Sequence, residues 1–135
     1  MYKNILVATA LDHAHDIAAA FDIARALAAE GASMTALHVL EDIPAYAAQH
    51  VPSEQAGTRR AEAEAELKAD LGGVANVKPV VVSGHPGSTI VEYADDHGID
   101  CIIIASHRPG LQDYFLGSTA GRVVRHAKCA VHVIR

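Results

Sequence analysis

The clearest candidate for chemistry is the run Gly117–Ser118–Thr119, which opens a short predicted helix after a polar loop. A helix start leaves several backbone N–H groups without acceptors, and the helix dipole favours an anion there. Gly117 lets the backbone approach a phosphate closely, and the Ser118 and Thr119 hydroxyls can donate to phosphate oxygens. The same residue types also cap helices that bind nothing, so the spacing alone leaves both interpretations open.

Two neighbouring segments carry further candidates. The loop Ser106–Gly110 offers positive charge from His107 or Arg108. After the first apolar run, Thr9, Ala10 and Asp12 are placed to meet a ribose or a base, although Asp12 fits equally well as a helix N-cap.

Several other kinds of site are not expected. The sequence contains no Walker lysine loop, no GxGxxG and no GxSxG elbow. It has nine His residues but no HxxxH or Cys/His cluster, so no metal site is predicted. No general base is recognisable next to a nucleophile, and tuned acids and bases cannot be identified from sequence alone. We therefore name no catalytic residue.

The composition limits the choice of partners. The formal charge of −5 argues against a nucleic-acid surface and against an anionic membrane. No apolar run approaches the roughly 20 residues of a membrane span. The chain enters an apolar run at once, so no signal peptide is expected. We expect Cys101 and Cys129 to be two buried, reduced thiols. Because reduced thiols are typical of the cytoplasm, we expect a cytoplasmic protein.

Strand-like and helix-like segments alternate along one domain of 135 residues, with no internal repeat or linker. This order predicts a parallel sheet covered by helices on both faces, a doubly wound α/β fold of Rossmann type. Asp12 and Gly31 are expected to bound the first helix, and Pro79 suits an edge strand. The predicted strands are Ile5–Thr9, Met34–Leu40, Val77–Ser83, Cys101–Ala105 and Ala130–Ile134, and the helices after the first are Glu54–Leu71, Pro86 to Gly98 and Gly117 to His126.

In such folds ligands bind beyond the carboxyl ends of the strands, at the point where the strand order reverses. The residues after Thr9, Val39, Ser83 and Ala105 are therefore the ones to examine. The segment from Glu41 to about Ser53 is expected to be a loop or an irregular arm.

The sequence resembles the universal stress proteins along its whole length, and the last third is the most specific. The matching segments are Lys3–Ala8, Leu37–Val39, Ile103–Pro109, Tyr114–Ser118 and Val123–Val131. The resemblance implies five strands in the order 3-2-1-4-5, four helices and a homodimer. The dimer is expected to pair the last strands, because an edge strand exposes unpaired backbone groups; its residues are Ala130, Val131, His132, Val133 and Ile134.

The resemblance also implies binding of ATP or AMP, with Mg²⁺ accompanying ATP. The family's motif, G-x2-G-x9-G-[S/T], is matched at Gly117–Ser118, while Ala105 and Arg108 stand at the two earlier glycines when one deletion is allowed. The Ser-His-Arg-Pro loop is similar to that of a subgroup of small members. Ala10 replaces the family's Asp at the end of the first strand, and Asp12 is the nearest carboxylate.

Carried over position by position, the resemblance assigns three groups of residues. The neighbours of the base or ribose are Ala8, Thr9 and Val39; the loop over the phosphates is Ser106, His107, Arg108 and Gly110; the phosphate cradle is Gly117, Ser118 and Thr119.

Three functions remain open at this point. The first is a nucleotide-binding stress protein. The second is a protein-interaction module of the same fold that needs no nucleotide. The third is an enzyme, at most a slow ATPase or phosphotransferase. The Gly-Ser-Thr cradle favours the first function.

Overall fold

A computed structural model describes residues 1–9, 14–41, 53–72, 74, 76–106 and 116–135. The elements in chain order are β1 (Tyr2–Ala8), α1 (Ala14–Leu27), β2 (Ala28–Leu40), α2 (Ser53–Asp70), β3 (Val77–Ser83), α3 (Pro86–Asp96), β4 (Cys101–Ala105), α4 (Ser118–His126) and β5 (Ala130–Ile134). The alternation of strand and helix predicted from the sequence is confirmed.

The five strands form one parallel sheet in the order β3-β2-β1-β4-β5. The predicted sheet order is therefore correct. Pro79 lies in β3, which is an edge strand, as its missing N–H requires.

Helices cover both faces of the sheet. One face packs against α1 and α2 through a cluster that includes Phe21, Leu67 and Ile103. The other face packs against α3 and α4 through a cluster that includes Ile90, Ile102 and Val123. The strands read as continuous apolar runs because both of their faces are buried.

The predicted end of the first helix is wrong. α1 ends at Leu27, and Gly31 lies inside β2 with a φ of +76°. The pairing with β1 shifts there: Tyr2 pairs with Ala28, but Asn4 pairs with Ser33. The left-handed conformation of Gly31 therefore serves an irregular start of β2 and not a helix stop.

Smaller differences concern element ends and one thiol. β1 begins at Tyr2 and ends at Ala8, so Thr9 lies just beyond it. Cys101 is buried as predicted, whereas Cys129 is only partly buried because it lies at the entry to the edge strand β5. The predicted arm falls largely on residues 42–52, which lie outside the described residues.

Candidate functional site

The carboxyl ends of β1 and β4 lie side by side at the centre of the sheet. Val7 pairs with Ile103 in the last step of their ladder. The chain leaves β1 towards α1 on one face and leaves β4 towards α4 on the other face. This divergence is the topological switch point, where open α/β sheets bind their ligands.

Thr9 fixes the backbone at the end of β1. Its N–H and its Oγ1 both donate to the Leu37 carbonyl, at 2.9 and 3.2 Å. Nδ1 of His38 lies 3.1 Å from the Thr9 carbonyl, so this ring nitrogen carries the proton. Thr9 is thus held against β2 by three contacts, which positions the chain where it leaves the sheet.

His38 belongs to this site although the sequence analysis did not select it. It lies on β2 directly before Val39, and only the strand register, in which Ala8 pairs with Leu37, places it beside Thr9. Its position within the Leu37–Val39 segment was the available signal.

Ala8 and Val39 contribute an apolar surface on the face that α3 and α4 cover. Both are partly buried and pack against the same hydrophobic cluster. Small aliphatic side chains at a strand end leave room for a flat ring and exclude water from one side of it. Their predicted role as neighbours of a base or ribose stays a prediction.

Ser106 is a junction between three elements. Its N–H donates to the Ile134 carbonyl at 2.8 Å, and its carbonyl accepts the Gly117 N–H at 2.5 Å. The residue is 1 % exposed, whereas Ala105 before it is exposed. Ser106 therefore ties the ends of β4 and β5 to the start of α4 from inside the protein.

The start of α4 is where the sequence predicts an anion cradle, and its backbone hydrogen bonds show which N–H groups are already engaged. The N–H of Gly117 is engaged by Ser106, and the first N–H that bonds within the helix is that of Gly121, to the Gly117 carbonyl at 2.7 Å. The N–H groups of Ser118, Thr119 and Ala120 fall between these two and have no acceptor within the helix. These three N–H groups, and not that of Gly117, would be the donors to an anion bound at this helix start.

Gly117 does not need to be glycine for conformational reasons. Its φ of −57° and ψ of 156° are accessible to any residue. A side chain at position 117 is therefore compatible with the backbone conformation, so a substitution of Gly117 introduces bulk without backbone strain.

The start of α3 packs closely against the middle of α4. A Cβ on the buried Gly87 would lie 2.8 Å from Cδ and 2.9 Å from Cβ of Arg122. Arg122 follows Ser118 by four residues and so shares its face of α4, and helical side chains lean towards the helix N-terminus. Like His38, Arg122 was not predicted as a site residue from the sequence, although its spacing of four residues from Ser118 was visible there.

Five predicted site residues lie outside the described residues: Ala10, Asp12, His107, Arg108 and Gly110. The described ones meet at one edge of the sheet. Ala8, Thr9 and Val39 are at the ends of β1 and β2, while Ala105, Ser106, Gly117, Ser118 and Thr119 surround the passage from β4 to α4.

The two thiols are poor nucleophiles. Burial raises the pKa of Cys101 to about 11, with smaller contributions from Cys129 and Asp100. Burial also raises the pKa of Cys129. Among the described residues no group of three or more His, Cys, Asp or Glu side chains is arranged to hold a metal ion. Nor does any described helix have the length and apolar character needed to cross a membrane.

This fold, with polar backbone groups at its switch point, defines a doubly wound α/β protein with a candidate anion site. The model of the universal stress protein family (Usp) matches residues 1–135, and the chain belongs to this family. It is 33 % identical over 141 residues to the Thermus aquaticus "Universal stress protein in QAH/OAS sulfhydrylase 3'region", with all of both chains covered.

Solved structures agree with this assignment. The universal stress protein UspA from Lactobacillus plantarum superimposes with a TM-score of 0.79 at 33 % identity, covering 99 % of this chain and 98 % of that one. A universal stress protein in complex with cAMP shares the fold with a TM-score of 0.62 at 23 % identity, covering 99 % and 97 %. The Archaeoglobus fulgidus protein in complex with dAMP has a TM-score of 0.61 at 19 % identity, covering 99 % and 98 %.

Proposed function

We propose that this protein binds an adenine nucleotide, ATP or AMP, at the carboxyl edge of its sheet and supports stress resistance as a cytoplasmic homodimer. The observation that carries the proposal is the start of α4. Its first N–H groups, which have no acceptor among the described residues, lie on the same face of the sheet as the apolar Ala8 and Val39. An anion cradle beside an apolar surface suits a ligand with a phosphate at one end and a flat ring at the other.

Two proteins of this fold, solved with cAMP and dAMP, support adenine nucleotides as the ligand class. In this chain the N–H groups of Ser118, Thr119 and Ala120 would hold phosphate oxygens. With ATP, Mg²⁺ accompanies the phosphates, and the Ser118 and Thr119 hydroxyls are oxygen donors of the kind that this hard cation accepts. Both cysteines are free thiols, which is usual in the cytoplasm.

The edge strand β5 supports the proposed homodimer. The Ile134 carbonyl accepts from β4, and backbone groups alternate in direction along a strand. The N–H and C=O groups of Val131 and Val133 therefore face away from β4, towards the open edge. Two apolar side chains in this part of the chain are exposed. Val124 on α4 is 45 % exposed, and Leu116, which precedes α4, is 37 % exposed. A second copy would cover both features.

The opposite edge is less suited to pairing. Pro79 in β3 has no N–H, and the outward carbonyl of Val81 already accepts Nη2 of Arg60 at 3.0 Å. A strand that is blunted in this way resists addition of a further strand. The contrast favours β5 as the dimer strand.

Calorimetric titration with ATP and AMP, with and without Mg²⁺, tests the proposal on protein freed of co-purified ligand. We expect micromolar binding, about −8 kcal/mol. Absence of heat and of a thermal shift would contradict nucleotide binding and would favour the protein-interaction module.

Two variants test the cradle itself. Gly117→Val should abolish nucleotide binding, because the side chain fills the approach to the N–H groups while φ and ψ remain allowed. Ser118→Pro removes one N–H donor at the first position of α4, where proline is well tolerated, and should weaken binding about tenfold. Unchanged affinity in both folded variants would rule out this cradle.

A further inference from the structure

A concave surface lies between α2 and the edge strand β3, at the edge of the sheet opposite to β5. Its volume is about 310 Å³, at the lower end of the range for small-molecule sites. Its lining residues are Arg60, Glu64, Lys68, Lys78, Pro79, Val80 and Val81, and we call it the β3 groove.

The charge of the β3 groove differs from that of its surroundings. Residues 1–100 contain 6 Lys and Arg against 15 Asp and Glu. Three of these six cations line the groove, together with one carboxylate, Glu64. The lining of the groove thus carries a net formal charge of +2. A surface with the average composition of residues 1–100 would instead be negative.

The helix spacing concentrates these charges. Arg60, Glu64 and Lys68 recur every four residues and therefore lie along one face of α2. Arg60 is held in place, since Nη2 donates to the Val81 carbonyl at 3.0 Å and Nε donates to Oε1 of Glu64 at 3.4 Å. Lys68 and Lys78 are exposed and have no hydrogen bond or ion pair among the described residues. Two ammonium groups are therefore available to a ligand.

The backbone of β3 argues against a peptide strand as that ligand. Pro79 lacks an N–H, and Arg60 occupies the outward carbonyl of Val81. An added strand would find two of its main-chain partners missing. A compact anion needs neither group and uses the cations alone.

We propose that the β3 groove is a binding site for a small, multiply charged phosphate anion, separate from the start of α4. Lys68 and Lys78 hold its charges, Arg60 forms a fixed cationic wall, and Pro79, Val80 and Val81 form the apolar floor. Glu64 opposes the anion and limits its affinity.

Titration of the full chain with inorganic tripolyphosphate, and with orthophosphate for comparison, tests this site. Each of Lys68→Gln and Lys78→Gln, made in the Gly117→Val background so that the start of α4 does not contribute, should weaken tripolyphosphate binding about fivefold, the effect of one charge near 4 Å in water. Glu64→Gln should tighten it by a similar factor. The matched control is Lys3→Gln, which removes an exposed lysine outside the groove and should change nothing.

The lysine variants should weaken tripolyphosphate binding and the glutamate variant should strengthen it. With the unchanged Lys3→Gln control, this pattern distinguishes a defined site from general attraction of the anion to positive charge. Gly117→Val should retain tripolyphosphate binding, which distinguishes this site from the proposed nucleotide site. No binding by the wild type, equal affinity in the Lys68→Gln/Lys78→Gln double variant, or loss of binding in Gly117→Val would each overturn the proposal.

Discussion

Ser106 shows how one buried residue can join several elements at the carboxyl edge of the sheet. Its two backbone groups join the end of β5 to the start of α4, and its side chain is buried. From the sequence it was expected in the loop over the phosphates, because it begins the Ser-His-Arg-Pro run. Burial could not be read from that run, since it depends on the register in which Ala105 pairs with Ile134.

The raised pKa of the Cys101 thiol makes the free energy of unfolding depend on pH. Its folded-state pKa of about 11 lies above its ordinary value of 9.0, because burial disfavours the thiolate. Folding therefore favours the protonated thiol. This contribution to the free energy of unfolding is complete below about pH 9 and is lost as the pH rises towards 11.

Urea unfolding between pH 8 and pH 11 measures this effect. The wild type should lose stability over this interval more steeply than Cys101→Ala, which lacks the titrating group. Parallel pH profiles for the two proteins would contradict a raised pKa at Cys101. Cys129→Ala serves as the comparison at the less buried thiol.

At the scale of elements, the direction of backbone groups in β5 gives a sharp test of the dimer. The Val131 N–H faces the open edge, whereas the His132 N–H faces β4. Val131→Pro should leave the sheet intact and yield a monomer in sedimentation velocity. His132→Pro should instead lower the free energy of unfolding by about 1–3 kcal/mol, because it breaks a ladder bond. A wild-type-like dimer from Val131→Pro would exclude this interface.

The contact between α3 and α4 offers a matched pair of glycine variants. Gly87→Ala should destabilise the protein by about 1–3 kcal/mol, since its Cβ would meet the stem of Arg122. Gly57→Ala in α2 meets nothing within 4 Å and should stabilise by about 0.5–1 kcal/mol. Thermal unfolding of both variants checks the contrast. Equal stability of the two would show that the helices do not pack so closely.

The sequence predicted the elements well where the signal was local. The apolar runs of β4 and β5 and the Pro86 start of α3 match the structure to the residue. The end of the first helix was predicted wrongly because a glycine can either end a helix or allow an irregularity in a strand. Gly31 looked like a helix stop, but it belongs to the irregular pairing of β1 with β2, which is a property of two strands and not of one segment.

At the scale of the whole molecule, charge is divided unevenly along the chain. Residues 101–135 contain five Lys and Arg and one Asp, whereas residues 1–100 are strongly acidic. Arg122 and Arg125 on α4 are both exposed. The proposed phosphate cradle at the start of α4 thus belongs to the basic segment of the sequence, whereas Ala8, Thr9 and Val39 belong to the acidic one.

The candidate site, like the fold, was predictable from the sequence only where it depends on a single segment and not on contacts between segments. Motif residues such as Gly117–Ser118 were visible in the sequence, whereas His38 and Arg122 are placed by strand register and helix packing. Likewise, the engagement of the Gly117 N–H by Ser106 requires two segments to meet in space.

Nucleotide binding at this edge is tested most directly by amide chemical-shift mapping of ¹⁵N-labelled protein during titration with ATP and AMP. We expect saturable shifts at Ala8, Val39, Ser118 and Thr119, with the amides of β3 and α2 left unchanged at low nucleotide concentration. Shifts confined to the β3 groove, or none at the start of α4, would contradict nucleotide binding where β1 and β4 diverge.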